Sequence, residues 1–163
     1  MSVTTTTITI TSSAFANGAA IPARYTADGQ DISPPLQWAG VPAGTKELAL
    51  ICDDPDAPRP QPWVHWVVYK IPPTVGGLSE GISPGPQLSK PFGAVHGKST
   101  TDELGYHGPN PPRGHGVHHY RFRVYALDCS LNLQPGASKD QLLAAMKGHI
   151  LSEGELVGTY KHD

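Results

Sequence analysis

The stretch His118–Leu127, HHYRFRVYAL, decides the fold. His118, Tyr120, Phe122, Val124 and Ala126 fall on one side; His119, Arg121, Arg123, Tyr125 and Leu127 fall on the other. A period of two marks a β-strand with one face turned to a core. The segment feeding it, Gly105–Tyr120, reads GYHGPNPPRGHGVHHY and is dense in glycine, proline and histidine. A stiff, polar loop anchored to a strand is a common setting for a binding site.

Two further stretches share this period. Lys46–Asp54, KELALICDD, sets Leu48, Leu50, Cys52 and Asp54 against Glu47, Ala49, Ile51 and Asp53. Val64–Ile71, VHWVVYKI, sets His65, Val67, Tyr69 and Ile71 against Val64, Trp66, Val68 and Lys70. Between them PDAPRPQP ends any strand, because proline lacks the ladder donor. Residues 7–12 alternate around Ile8 and Ile10 and predict a first strand, and ELVGTYK at 155–161 predicts a last one. Short strands are expected near Arg24–Thr26 and Leu36–Trp38, with mostly loop over 72–104. One helix is expected. Ser138 and Gln141 form a capping-box pattern, Leu142, Leu143, Met146 and Ile150 form an apolar stripe, and the end falls near Gly148 or His149.

Apolar content is 38% and charged content 16%, with 18 glycines and 17 prolines filling the difference. Because these lie between patterned apolar runs, they read as turns of a loop-rich, mostly β, single domain spanning 1–163. A net charge of −2 without a basic stripe argues against a nucleic-acid partner. No apolar run reaches the roughly 20 residues of a membrane span, and the threonine-rich start MSVTTTT has no basic leader. A cytoplasmic protein is expected. Cys52 and Cys129 read as two buried free thiols.

Asp54, His65 and His118 each stand at the end of a patterned strand, beside a proline-rich loop. If the three strands are neighbours, these groups meet at one rim of the core. Ionisable groups there must be paired. An Asp carboxylate accepting from one histidine nitrogen would leave the other nitrogen for a ligand, and glycine amides of GPNPPRGHG could complete an anion pocket. Singly, each feature has a plainer reading: a hydrogen-bonded core histidine, or an Asp turn at 53–56. His107 and His115 read as solvated. A metal site on His115, His118 and His119, with Asp54 or His65, is disfavoured because His118 and His119 point to opposite faces. No G-x-S-x-G elbow and no activated cysteine supports a hydrolase. Neither a cofactor nor a catalytic residue is expected.

Several segments together resemble one family. Ile32-Ser33-Pro34-Pro35-Leu36-Gln37-Trp38 resembles its S-P-P-L-x-W segment. Asp54-Pro55-Asp56-Ala57-Pro58 with Val64-His65-Trp66 resembles its first signature, and Gly105–Leu127 its second. The closing stretches Gly148-His149-Ile150-Leu151 and Leu156-Val157-Gly158-Thr159-Tyr160 resemble its bacterial C-terminal segment. The chain is thereby similar to the phosphatidylethanolamine-binding protein family, also called the Raf kinase inhibitor protein family, in its small bacterial branch.

The resemblance implies a sandwich of antiparallel sheets with one peripheral helix, and a small pocket for phosphate-type head groups and other anions. It maps acidic positions to Asp54 and Asp56, and pocket histidines to His65 and His118. Pro111, Pro112 and Tyr120 correspond to the wall, with Gly108 in the same loop. It implies action by binding rather than turnover, a possible protein partner in the manner of kinase inhibition, and a possible homodimer. The animal members carry a C-terminal helix over the pocket that has no counterpart after Asp163, so a more open site is expected. Three functions therefore compete: a small-anion binding protein, a protein–protein regulator using the pocket loops, and a hydrolase or metal enzyme.

Overall fold

The computed structural model describes residues 7–163, so most of the threonine run at 4–7 lies outside the described residues. The strands are β1 (Thr9–Thr11), β2 (Leu36–Ala39), β3 (Glu47–Asp54), β4 (Trp63–Ile71), β5 (Gly77–Leu78), β6 (Val95–His96), β7 (His118–Leu127) and β8 (Ile150–Tyr160), with helix α1 (Lys139–Met146) before the last. They form two antiparallel sheets, ordered β1-β2-β5 and β6-β4-β3-β7-β8. Among the described residues no helix is long and apolar enough to cross a membrane.

The larger sheet is apolar on both faces, for two different reasons. Leu48, Leu50, Cys52, Trp66, Val68, Phe122 and Val124 pack against Ile8 and against Ile10, Leu36, Trp38 and Leu78 of the smaller sheet. Ala49, Ile51, Val67, Tyr69, Tyr125 and Leu127 pack under Leu142 and Met146 of α1. A large side chain buried this fully contributes about 1.5–3 kcal/mol. Asp53 lies on the helix side, where it accepts from Lys139 Nζ at 2.6 Å, its side chain only 4% exposed. The sheet thus holds the first turn of α1 by a buried ion pair as well as by packing.

Strand β4 departs from simple alternation. Cys52 pairs with Trp66 and Asp53 with Val64, so His65 is an extra residue. Leu48 pairs with Ile71 and Leu50 with Val68, so a second extra residue falls at Tyr69–Lys70, where Lys70 has φ 57°. Each bulge reverses the facing of the residues beyond it. Val67 and Tyr69 therefore face α1, while His65 and Ile71 turn to the sandwich side. The expected face of His65, Val67, Tyr69 and Ile71 is corrected accordingly.

Other boundaries move too. Ala23–Tyr25 is a 3-10 turn, not a strand, because Tyr25 and Thr26 donate back to Pro22 and Ala23. β1 occupies 9–11 of the expected 7–12. The capping box of Ser138 and Gln141 is present, but α1 stops at Met146, and Ile150 belongs to β8 with 41% exposure. β8 starts five residues before the expected 155. Its early part alternates small buried Ser152 and Gly154 with exposed glutamates, which no hydrophobic pattern reveals. Gly154 is required there: a Cβ would sit 1.9 Å from the Ile8 carbonyl oxygen, where the N-terminal segment crosses the sheet edge. Within 72–104, β5 and β6 are two-residue strands. Cys52 is buried as expected, whereas Cys129 is only partly so.

Candidate functional site

Three strand ends build the site. β3 ends on Asp54 and β7 begins on His118, side by side in the antiparallel sheet. His118 Nδ1–H donates to Asp54 Oδ2 at 2.6 Å, with side chains 1% and 4% exposed. The other Asp54 oxygen accepts from the Asp56 amide at 2.8 Å. Burial of this carboxylate is tolerable because both oxygens have donors.

The β4 bulge delivers His65 to the same side, edge-on to the Tyr120 ring at 5.1 Å. His65 Nδ1–H donates to the His107 carbonyl at 2.6 Å, and the His107 amide returns a bond to the His65 carbonyl at 3.0 Å. A carbonyl only accepts, so the proton of the neutral ring sits on Nδ1 and Nε2 carries the lone pair. Burial pushes the His65 imidazole below its ordinary value, against the opposing pull of the His107 carbonyl and Asp54. Burial, with Asp54 adding to it, drives the Tyr120 phenol upward, so it stays a neutral hydroxyl.

These groups face a cavity of about 460 Å³. Asp54, His65, Gly108, Pro111, Pro112, His118 and Tyr120 all line it. Asp56 does not. Its Oδ2 accepts from the His119 amide and ring nitrogen, both at 2.8 Å, on the outer side. Burial alone would raise the Asp56 carboxyl, but the His119 bonds outweigh it and hold it low. Asp56 thus supports Asp54 through its amide rather than facing the cavity.

Asp31, Trp63, Thr101, His107 and Asn110 also line the cavity and have no signal in the strand pattern. Asp31 lies in the left-handed region (φ 56°) and accepts the Gly108 amide at 2.7 Å. The closeness is obligatory: a Cβ on Gly108 would lie 2.2 Å from the Tyr25 carbonyl oxygen. The glycine amides expected to meet an anion are therefore partly engaged within the chain, Gly108 by Asp31 and Gly114 by the His162 carbonyl.

His107 and His115 are not simply solvated. His107 Nε2 meets Glu103 at 2.6 Å. His115 Nδ1 meets His118 Nε2 at 2.6 Å, the nitrogen expected to be left for a ligand. His162 fastens the rim, its Nδ1 donating to the Pro111 carbonyl and its Nε2 meeting Asp28, each at 2.6 Å. No lysine or arginine is among the lining residues, so imidazoles are the side chains there that can carry positive charge.

The wider comparisons agree with this architecture. A profile described as phosphatidylethanolamine-binding protein matches residues 11–161. A UPF0098 protein of Methanothermobacter thermautotrophicus is 53% identical over 148 residues, covering 91% of this chain and 95% of its own. This archaeal relative widens the branch beyond bacteria. The crystal structure of a putative phosphatidylethanolamine-binding protein homolog from Chlamydia trachomatis superposes with TM-score 0.86 at 42% identity, covering 97% of this chain and 99% of that one. E. coli YbcL, described as a new member of the mammalian family, gives TM-score 0.88 at 30% identity, with coverage of 96% and 99%. With both signatures on one cavity and a match along nearly its whole length, the chain belongs to the phosphatidylethanolamine-binding protein family.

Proposed function

We propose that the cavity binds a small ligand bearing a phosphate or carboxylate head group, and that the protein acts through this binding rather than by turnover. The observation that carries the reading is the pair of buried imidazoles, His65 and His118, facing a proline-walled cavity that holds no lysine or arginine. Such a site suits a head group of low charge. A dianion would meet Asp31 and Asp54 without a fixed cation to offset them. An anion that carries or arrives with a proton can donate it to the lone pair on Nε2 of His65 and share it there. Binding then takes up protons and tightens as pH falls toward 6.

Turnover is disfavoured by what lines the cavity. Neither serine nor cysteine is present there, and the Thr101 hydroxyl is bonded to Ser99 at 3.0 Å. The phenol of Tyr120 is held protonated by burial.

Calorimetry with phosphate, phosphoethanolamine and acetate tests the reading. Repeating it in buffers of different ionisation heat measures proton uptake. His65→Gln and His118→Gln are expected to abolish or strongly weaken binding while the circular dichroism stays unchanged. Wild-type affinity in both variants would place the ligand elsewhere. Turnover in a phosphatase and esterase screen, lost in the same variants, would replace binding by catalysis.

A further inference from the structure

We propose that Asp128, Cys129 and His149 form a binding site for one zinc-class divalent cation, at the end of the larger sheet remote from the cavity. The site grows from strand register. Leu127 pairs with Ile150 as the last rung between β7 and β8, and the ladder continues one step further as the Asp128 amide donates to the His149 carbonyl at 2.9 Å. That step sets the Asp128 and His149 side chains next to each other, and His149 Nδ1–H donates to Asp128 Oδ1 at 2.8 Å. Cys129 comes directly after and brings its thiol to the pair. One oxygen, one ring nitrogen and Sγ all lie within 4.8 Å of one another.

A hydrogen bond closing two strand ends would need only Asp128 and His149; the thiol is the addition. Carboxylate, imidazole and thiolate together are a donor set suited to a zinc-class ion. Tetrahedral bonds of 2.0–2.3 Å put neighbouring donors roughly 3.3–3.8 Å apart. The donors must close by about 1.5 Å at most from the 4.8 Å limit, and Asp128 and His149, nearly half exposed, have room to do so. Glu47 adds negative potential while accepting the Leu131 amide at 2.8 Å. Loading replaces the S–H bond of Cys129 with an S–metal bond and releases the thiol proton to solvent. Three protein donors leave a fourth position open to water or to an external ligand.

The site is independent of the anion cavity. His118 and Asp128 sit at opposite ends of β7, a separation on the order of 30 Å at strand rise. Among the described residues this is the one such convergence, and the loop histidines do not form another.

Titrating the reduced full chain with Co²⁺ and monitoring thiolate-to-cobalt absorption tests the proposal, with Zn²⁺ added afterwards as competitor. Cys52 is 1% exposed, so the band reports Cys129. The expected result is one equivalent bound, the band bleached by Zn²⁺, and one proton released. Cys129→Ser is expected to remove the band, and His149→Ala to weaken binding roughly tenfold or more. His118→Gln is expected to leave both unchanged. Cys129→Ala serves if the serine variant is unstable. No band at one equivalent, or a band that survives loss of Cys129, overturns the site. Zn²⁺ binding that His118→Gln weakens and Cys129→Ser does not would place the ion on the loop histidines and equally overturns it.

Discussion

Replacing His115 with alanine should tighten anion binding, although the substitution removes a histidine. His118 Nε2 is already bonded to His115 Nδ1 at 2.6 Å, so a ligand reaching that nitrogen must first displace His115. His115 is itself exposed and sits between Gly114 (φ 73°) and Gly116 (φ 93°), so it can leave without disturbing the core. One net hydrogen bond is worth about 1 kcal/mol. Removing the competitor should thus lower Kd for phosphate roughly fivefold. Calorimetry of wild type and His115→Ala at pH 6.5 reads this directly. His118→Gln in the same background should abolish the gain, because the freed nitrogen is its origin. Weaker binding by His115→Ala would mean that His115 contacts the ligand. Unchanged binding would mean that the ligand does not use His118 Nε2. Either result refutes the reasoning.

Other substitutions probe the frame around the site. His118→Ala leaves the Asp54 carboxylate buried with one partner gone, and should destabilise the protein by about 3–5 kcal/mol in urea unfolding; Asp54→Asn with His118→Ala should recover part of this. Lys139→Ala similarly orphans Asp53 and should cost about 2–3 kcal/mol, whereas Arg24→Ala, breaking an exposed pair with Glu80, should cost less than about 1 kcal/mol. His65 has a depressed value when folded, so the unfolded chain takes up its proton first. Its contribution is complete above about pH 6.5 and declines as pH falls below that, ceasing to change once the folded value is passed. The urea midpoint of wild type should therefore fall more between pH 7.5 and 5.5 than that of His65→Gln. An equal fall in both would remove His65 as a source.

Period two makes β3, β4 and β7 legible, and with them the meeting of Asp54 and His118, because both sit on the regular part of their strands. The same pattern singles out His65 but assigns it the wrong face. Nothing between Trp63 and Trp66 marks a bulge: there is no glycine, and three of the four residues favour strands. Asp31 is illegible for another reason. Its role depends on a left-handed backbone and on an amide 77 residues away. The competing bond from His115 is equally hidden, since loop geometry decides it and composition does not. The family signatures supply Gly108 and the prolines, which no hydrophobic pattern singles out.

At His65 and Trp66 the β4 bulge turns two consecutive residues to the sandwich side. One borders the cavity; the other is fully buried beside Tyr106 and donates its indole N–H to His96 at 3.1 Å. The cavity wall and the interior packing therefore share a single peptide unit. An occupied cavity that steadies His65 must also steady Trp66, so ligand should slow amide exchange deep inside β4 as well as in the loops around the cavity.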